Sequence, residues 1–143
     1  MIQVSLPLSV VTYRPKTSKG KIKKWILNLN NYRNSHYRVL SIAKKEYHKL
    51  IAPLFKDSPQ MGRVSLWYQL WTPTRRKGDL MNVMTVVDKF TQDSLVELGI
   101  IEDDNTDYVP ECFFFYGGVS KENPRVKLWI TDYGDRNIFS QFE

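Results

Sequence analysis

The chain is poor in everything that would cross-link it or anchor it. A single cysteine, Cys112, among 143 residues allows no internal disulfide and no thiolate zinc cluster, so oxidised secreted scaffolds and zinc fingers are excluded together. No apolar run approaches the roughly 20 residues needed to cross a bilayer, and the start lacks the basic-then-apolar order of a signal peptide. The expectation is a cytoplasmic protein with no membrane partner. Carboxylates are scarce in one half of the chain: residues 1–72 contain only Glu46 and Asp57 against 13 Lys and Arg. Low-complexity segments and internal repeats are absent, and apolar residues, 42% of the total, are spread along the whole length. That composition excludes intrinsic disorder and is expected to fold as one domain over residues 1–143.

Charge is present in plenty, and it is unevenly placed. The net charge is +6, which points to an anionic partner. Against the basic first half, residues 73–143 hold 13 carboxylates and 8 Lys and Arg. Such a division suits a protein that grips phosphates with one surface and holds cations with another, and it equally suits a charge gradient with no function.

Hydrophobic periodicity orders the chain. Ile2, Val4 and Leu6 alternate as a half-buried strand. Arg14–Lys24 carries Arg14, Lys16, Lys19, Lys21, Lys23 and Lys24 with Pro15 and Gly20, and reads as a mobile basic loop. Asn28–Asn34 reads as a turn, with Ser35 as the N-cap of a helix to about Leu50 whose inner face is Tyr37, Leu40, Ala43 and Tyr47. Its opposite face, Arg38, Lys45 and Lys49, is expected to be solvated. Arg63–Trp71 alternates Val64, Leu66, Tyr68 and Leu70 against Ser65, Trp67 and Gln69 and reads as a strand with both faces at least partly covered. Val83, Val87, Phe90, Ser94 and Leu98 form the stripe of a second helix that Gly99 closes. Strands follow at Cys112–Tyr116 and Val126–Thr131. The expected class is therefore α+β, a single domain ordered strand, helix, strand, helix, strand, strand, with a mixed sheet packed against two helices.

Chemistry concentrates at the ends of the second helix. At its start, Arg75-Arg76-Lys77-Gly78-Asp79-Leu80-Met81-Asn82 sets three cations beside one carboxylate. A cationic loop at a helix N-terminus can hold a phosphodiester, while Asp79 there is either a cap or a metal ligand. Past its end, Glu102-Asp103-Asp104 with Asp107 is either a solvated acidic loop or a Mg²⁺ site. The two stretches lie at opposite ends of the helix unless the loop folds back. Asn82, Lys89 and Asp93 share a helix face, where Lys89 is either a functional cation or a surface residue. The histidines His36 and His48 fall near the first helix, far in sequence from Cys112, and read as surface or capping residues rather than as parts of a nucleophilic site.

The succession of basic loop, Asp79-Leu80-Met81-Asn82, Lys89 and Gly99-Ile100-Ile101-Glu102-Asp103-Asp104 resembles the RusA family of Holliday-junction resolvases. The specific match runs from Arg75 to Val109. The resemblance implies a homodimer that cuts four-way DNA junctions symmetrically with Mg²⁺ or Mn²⁺. It further implies that Asp79 and Asp104 are metal ligands with Asp103 beside them, and that Lys89 is the catalytic helix lysine. Arg75, Arg76 and Lys77, with Lys16, Lys19, Lys21, Lys23 and Lys24, would grip the DNA backbone. Three departures stand out: Met81 occupies the place of the family's second aspartate, Gly78 replaces a frequent arginine, and the helix is about one turn longer between Asn82 and Lys89. A thioether is a poor ligand for a hard cation, so the resemblance leaves two outcomes, a nuclease or a branched-DNA-binding protein with a degenerate metal site. An RNA-binding module fits the charge, but no RNP-like or Gly-rich motif accompanies it.

Overall fold

The computed structural model describes residues 1–75 and 77–142, and Arg76, named above as a DNA contact, lies outside the described residues. Among the described residues, six strands and three α-helices follow one another as β1 (Ile2–Leu6), β2 (Ser9–Tyr13), β3 (Lys23–Ile26), α1 (Leu29–Asn34), α2 (Tyr37–Ile51), β4 (Val64–Thr72), α3 (Leu80–Glu97), β5 (Glu111–Val119) and β6 (Arg125–Asp132). Short 3-10 turns cover Ala52–Phe55 and Asn137–Phe142. The α+β class and the mixed sheet against helices are as expected from the sequence.

β4 organises the domain. Its residues Val64–Leu70 are all buried, because the strand is internal to a four-stranded sheet of order β1-β6-β4-β5 and is covered on both faces. Val64, Leu66, Tyr68 and Leu70 point to the helical side and join the main core with Met84, Val87, Phe90 and Leu95 of α3. Trp67 points the other way, opposite Trp129 of β6, and packs with it under Ile138 of the C-terminal turn. β6 runs antiparallel to β4, and β5 runs parallel to it. A parallel neighbour cannot be reached by a hairpin, so α3 serves as the crossover. The N-terminus of α3 is thereby set near the carboxyl end of β4, where function in open parallel sheets is commonly built.

The front of the chain departs from the expected layout in four places. First, β2 and β3 form a separate two-stranded ladder in which Val10 faces Trp25. Lys23 and Lys24 thus belong to a strand, and only residues 14–22 connect the two. The strand forms because Trp25, between exposed neighbours, is buried against Phe90 with ring centroids 5.6 Å apart. Second, the asparagine-rich stretch is a helix, α1: the Asn28 side chain accepts the Asn31 N–H at 2.8 Å and caps it. Third, the cap of α2 is His36, whose ring accepts the Arg38 N–H at 3.2 Å. Ser35 is instead the C-cap of α1, and its hydroxyl accepts the Trp25 indole N–H at 2.9 Å. Fourth, Tyr37 stands exposed, whereas Ala43, Tyr47 and Ile51 carry the buried face of α2. Arg38, Lys45 and Lys49 are exposed as expected. Among the described residues no helix is long and apolar enough to cross a membrane.

Candidate functional site

The carboxyl end of β4 and the start of α3 enclose an open cleft of about 570 Å³, lined by Leu70, Thr72, Arg75, Lys77, Gly78, Asp79, Leu80, Val83 and Tyr116. Its floor is apolar and its rim is charged. Asp79 is the N-cap of α3, with extended backbone and one carboxylate oxygen, Oδ1, accepting the Met81 N–H at 3.0 Å. The capping reading of Asp79 is therefore correct, and it leaves the second oxygen without a hydrogen bond among the described residues. Arg75, Lys77 and Asp79 are exposed, and none of them forms an ion pair among the described residues. Two unpaired cations beside a helix N-terminus make this rim attractive to an anion.

Tyr116 of β5 closes one side. Its hydroxyl lies 2.8 Å from the Thr72 hydroxyl, which also reaches the Thr74 carbonyl at 3.0 Å. Thr72 has one proton to give, so the arrangement is satisfied when Thr72 donates to Thr74 and Tyr116 donates to Thr72. The phenol is thus tethered while Tyr116 as a whole remains 55% exposed.

The acidic loop after α3 is internally bonded. Both Asp103 oxygens are occupied, Oδ1 by the Asp104 N–H at 2.7 Å and Oδ2 by the Asn105 amide at 3.1 Å. The Asp104 side chain is exposed and accepts no hydrogen bond among the described residues. Its charge acts on Asp88 of α3, which the sequence reading did not single out. Burial first, and then Asp104, push the Asp88 carboxyl above the usual carboxylate range, against the opposing hydrogen bonds from Tyr68 and Gln92. Those two donate to Asp88 Oδ1 at 2.6 and 2.8 Å. The Cys112 sulfur lies 3.9 Å from the same oxygen, and burial raises its thiol to about 12.

The acidic loop is tied to the start of β4, where the Val64 N–H donates to the Tyr108 carbonyl at 2.8 Å and Arg63 Nε to the Asp107 carbonyl at 3.1 Å, whereas Asp79 stands with Leu70 and Thr72 at the other end of that strand, so the fold does not bring Asp104 and Asp79 together within one chain. Asp88 follows Asp79 by nine residues, about 13 Å along the helix axis at the usual rise. Asp79 is not among the groups that shift Asp88. Among the described residues, no group of three or more His, Cys, Asp or Glu is gathered to hold a metal ion. Sequence did hold one signal for Asp88: Met81, Asp88 and Gln92, spaced by seven and four, fall on one stripe of α3 within about 40°.

The remaining predicted residues lie on the surface. Lys89 and Asp93 are exposed on the outer face of α3, whereas Asn82 is a strut whose side-chain oxygen accepts the Leu29 N–H at 3.2 Å. Lys16, Lys19, Lys21, Lys23 and Lys24 are all exposed, and Lys23 stands 5.6 Å from the centre of the Tyr13 ring. His48 bridges the two long helices, with Nδ1 3.0 Å from the Ser94 hydroxyl. The chain matches no protein-family model, and no curated protein matches it.

Proposed function

We propose that this protein is a divalent-metal-dependent endonuclease of RusA type that resolves Holliday junctions and similar branched DNA as a homodimer in the cytoplasm of a bacterial or phage-infected cell. The observation that carries the reading is Asp79: a carboxylate with one oxygen fixed by the helix cap and the other without a hydrogen bond among the described residues, on the same cleft as Arg75 and Lys77, which form no ion pair among them.

Arg75 and Lys77, with Arg76 by sequence, would bind the phosphate beside the scissile bond. Lys16, Lys19, Lys21, Lys23 and Lys24 would hold the flanking backbone, and Lys89 would offset charge on, or give a proton to, the leaving oxygen. Asp79 would be a ligand to the ion, and Asp104, with Asp103 next to it, would join Asp79 only from the other copy of the dimer, because the two lie at opposite ends of β4 within one chain. The donor chemistry fits Mg²⁺ or Mn²⁺, because a hard cation of this kind is commonly bound by one or two carboxylates, with water and substrate phosphate filling the remaining positions. When bound, the ion supplies an activated water and neutralises charge on the phosphate. Because a four-way junction is nearly two-fold symmetric, a C2 dimer would offer equivalent sites to equivalent strands.

A second reading, a branched-DNA-binding protein with a degenerate metal site, is favoured by Met81 and by the absence of a carboxylate trio among the described residues. Incubating the protein with an end-labelled four-way junction, with and without Mg²⁺ or Mn²⁺, separates the two. Paired symmetric nicks support the nuclease, tight binding without nicks supports the second reading, and failure to prefer the junction over duplex overturns both.

A further inference from the structure

The cleft contains more than phosphate binding requires. Leu70, Leu80 and Val83 give it an apolar floor, and a phosphate or a hydrated metal ion has no use for one. Tyr116 lines the same cleft as an exposed residue, its hydroxyl held by Thr72. Arg75 and Lys77 stand across the same opening. An apolar floor, one aromatic face and a cationic rim are together complementary to a single nucleotide: its base needs a flat apolar surface, and its phosphate needs cations.

We propose that this cleft receives one unstacked nucleotide, the base lying against Tyr116 over Leu70, Leu80 and Val83 and the phosphate on Arg75 and Lys77. The inference deepens the reading above and rests on it for the claim that the nucleotide comes from the branch point of a junction. In uninterrupted duplex every base is stacked and paired, so the pocket stays unused. At a branch point or in a single strand a base is available at little cost. The cleft volume of about 570 Å³ is within the range of small-molecule sites and exceeds what one base occupies. Tyr116 is a binding residue here, with no part in the bond cleavage.

The test compares affinities of the wild type, Tyr116→Ala, Tyr116→Phe and Arg75→Ala for a single-stranded oligonucleotide, a duplex and a four-way junction, all without divalent metal. Circular dichroism serves as the folding control. Stacking on one aromatic residue is expected to be worth about tenfold in affinity. Tyr116→Ala should lower binding to the single strand and the junction by about that factor and leave duplex binding unchanged. Tyr116→Phe should stay within about twofold of wild type, because the ring remains, and Arg75→Ala should weaken all three. A Tyr116→Ala variant that is folded and binds the single strand as wild type does overturns the pocket, as does an equal loss on all three DNAs. A wild type with no preference for the junction overturns the branched-DNA reading instead, and the single-strand result then decides the pocket by itself.

Discussion

Asp88 and Asp104 come from different parts of the α3–β5 crossover, and after burial it is the charge of Asp104 that favours the protonated form of Asp88. The pair makes stability depend on pH in a stated direction. A carboxyl whose folded pKa is raised holds its proton more tightly in the folded state than in the unfolded one. Between the ordinary value of 3.8 and the raised one, stability therefore falls as pH rises. Asp88→Asn keeps an oxygen for Tyr68 and removes the charge. In urea titrations at several pH values, the variant should gain on the wild type as pH rises through that window and hold a constant lead above it. A wild type that gains on Asp88→Asn over the same window would contradict the assignment.

Cys112 lies beside the same carboxylate, and burial pushes its thiol to about 12. Since only the thiolate reacts, alkylation at pH 8 should be slow in the folded protein and fast in denaturant. Mass spectrometry over time measures both rates. Equal rates would show that the thiol is not buried against Asp88.

Gly117 is needed for what lies over it. A Cβ built there would stand 2.6 Å from Cε2 of Trp71, at the place where the β4–β5 register shifts. Trp71 in turn carries the Arg125 guanidinium, 5.3 Å from its ring. Gly117→Ala should displace the indole and cost about 1–3 kcal/mol, the usual range for overpacking. The readouts are a lower unfolding midpoint and altered tryptophan fluorescence.

The basic connection between β2 and β3 should act through charge alone. If Lys16, Lys19 and Lys21 each neutralise a phosphate, replacing all three by alanine should flatten the slope of log affinity against log salt by roughly 0.9 per lysine on duplex DNA. An unchanged slope would remove this segment from the interface.

Met81 is 41% exposed on the stripe of α3 that also carries Asp88. If it weakens a metal site, Met81→Asp should raise junction cleavage at a given Mg²⁺ concentration. A folded variant with no gain would show that the missing carboxylate is not what limits turnover.

Local pattern was enough for β4 and α3, because an unbroken buried run and a regular apolar stripe need no partner to be recognised. It was enough for Asp79 as a cap, since the cap is made with the next turn of its own helix. It failed for β3 and α1. The first is four residues long with two lysines and is held by one buried tryptophan. The second is asparagine-rich and depends on support from Asn82 of α3. Asp88 was missed for the same reason, as Tyr68 and Cys112, which define its environment, belong to strands on either side of it in sequence. Tyr116 ends a strand of aromatics, and nothing local distinguishes it from its neighbours; only the assembled sheet leaves it exposed.

The most direct test of the account is single-turnover cleavage of a labelled four-way junction in Mg²⁺ by the wild type and Asp79→Asn, with junction affinity measured in parallel. The asparagine can still accept the Met81 N–H, so the helix start should persist. Symmetric nicks are expected from the wild type, with their loss in the variant and affinity within a few fold of wild type. A variant that is folded, binds the junction and cuts it at the wild-type rate would contradict it.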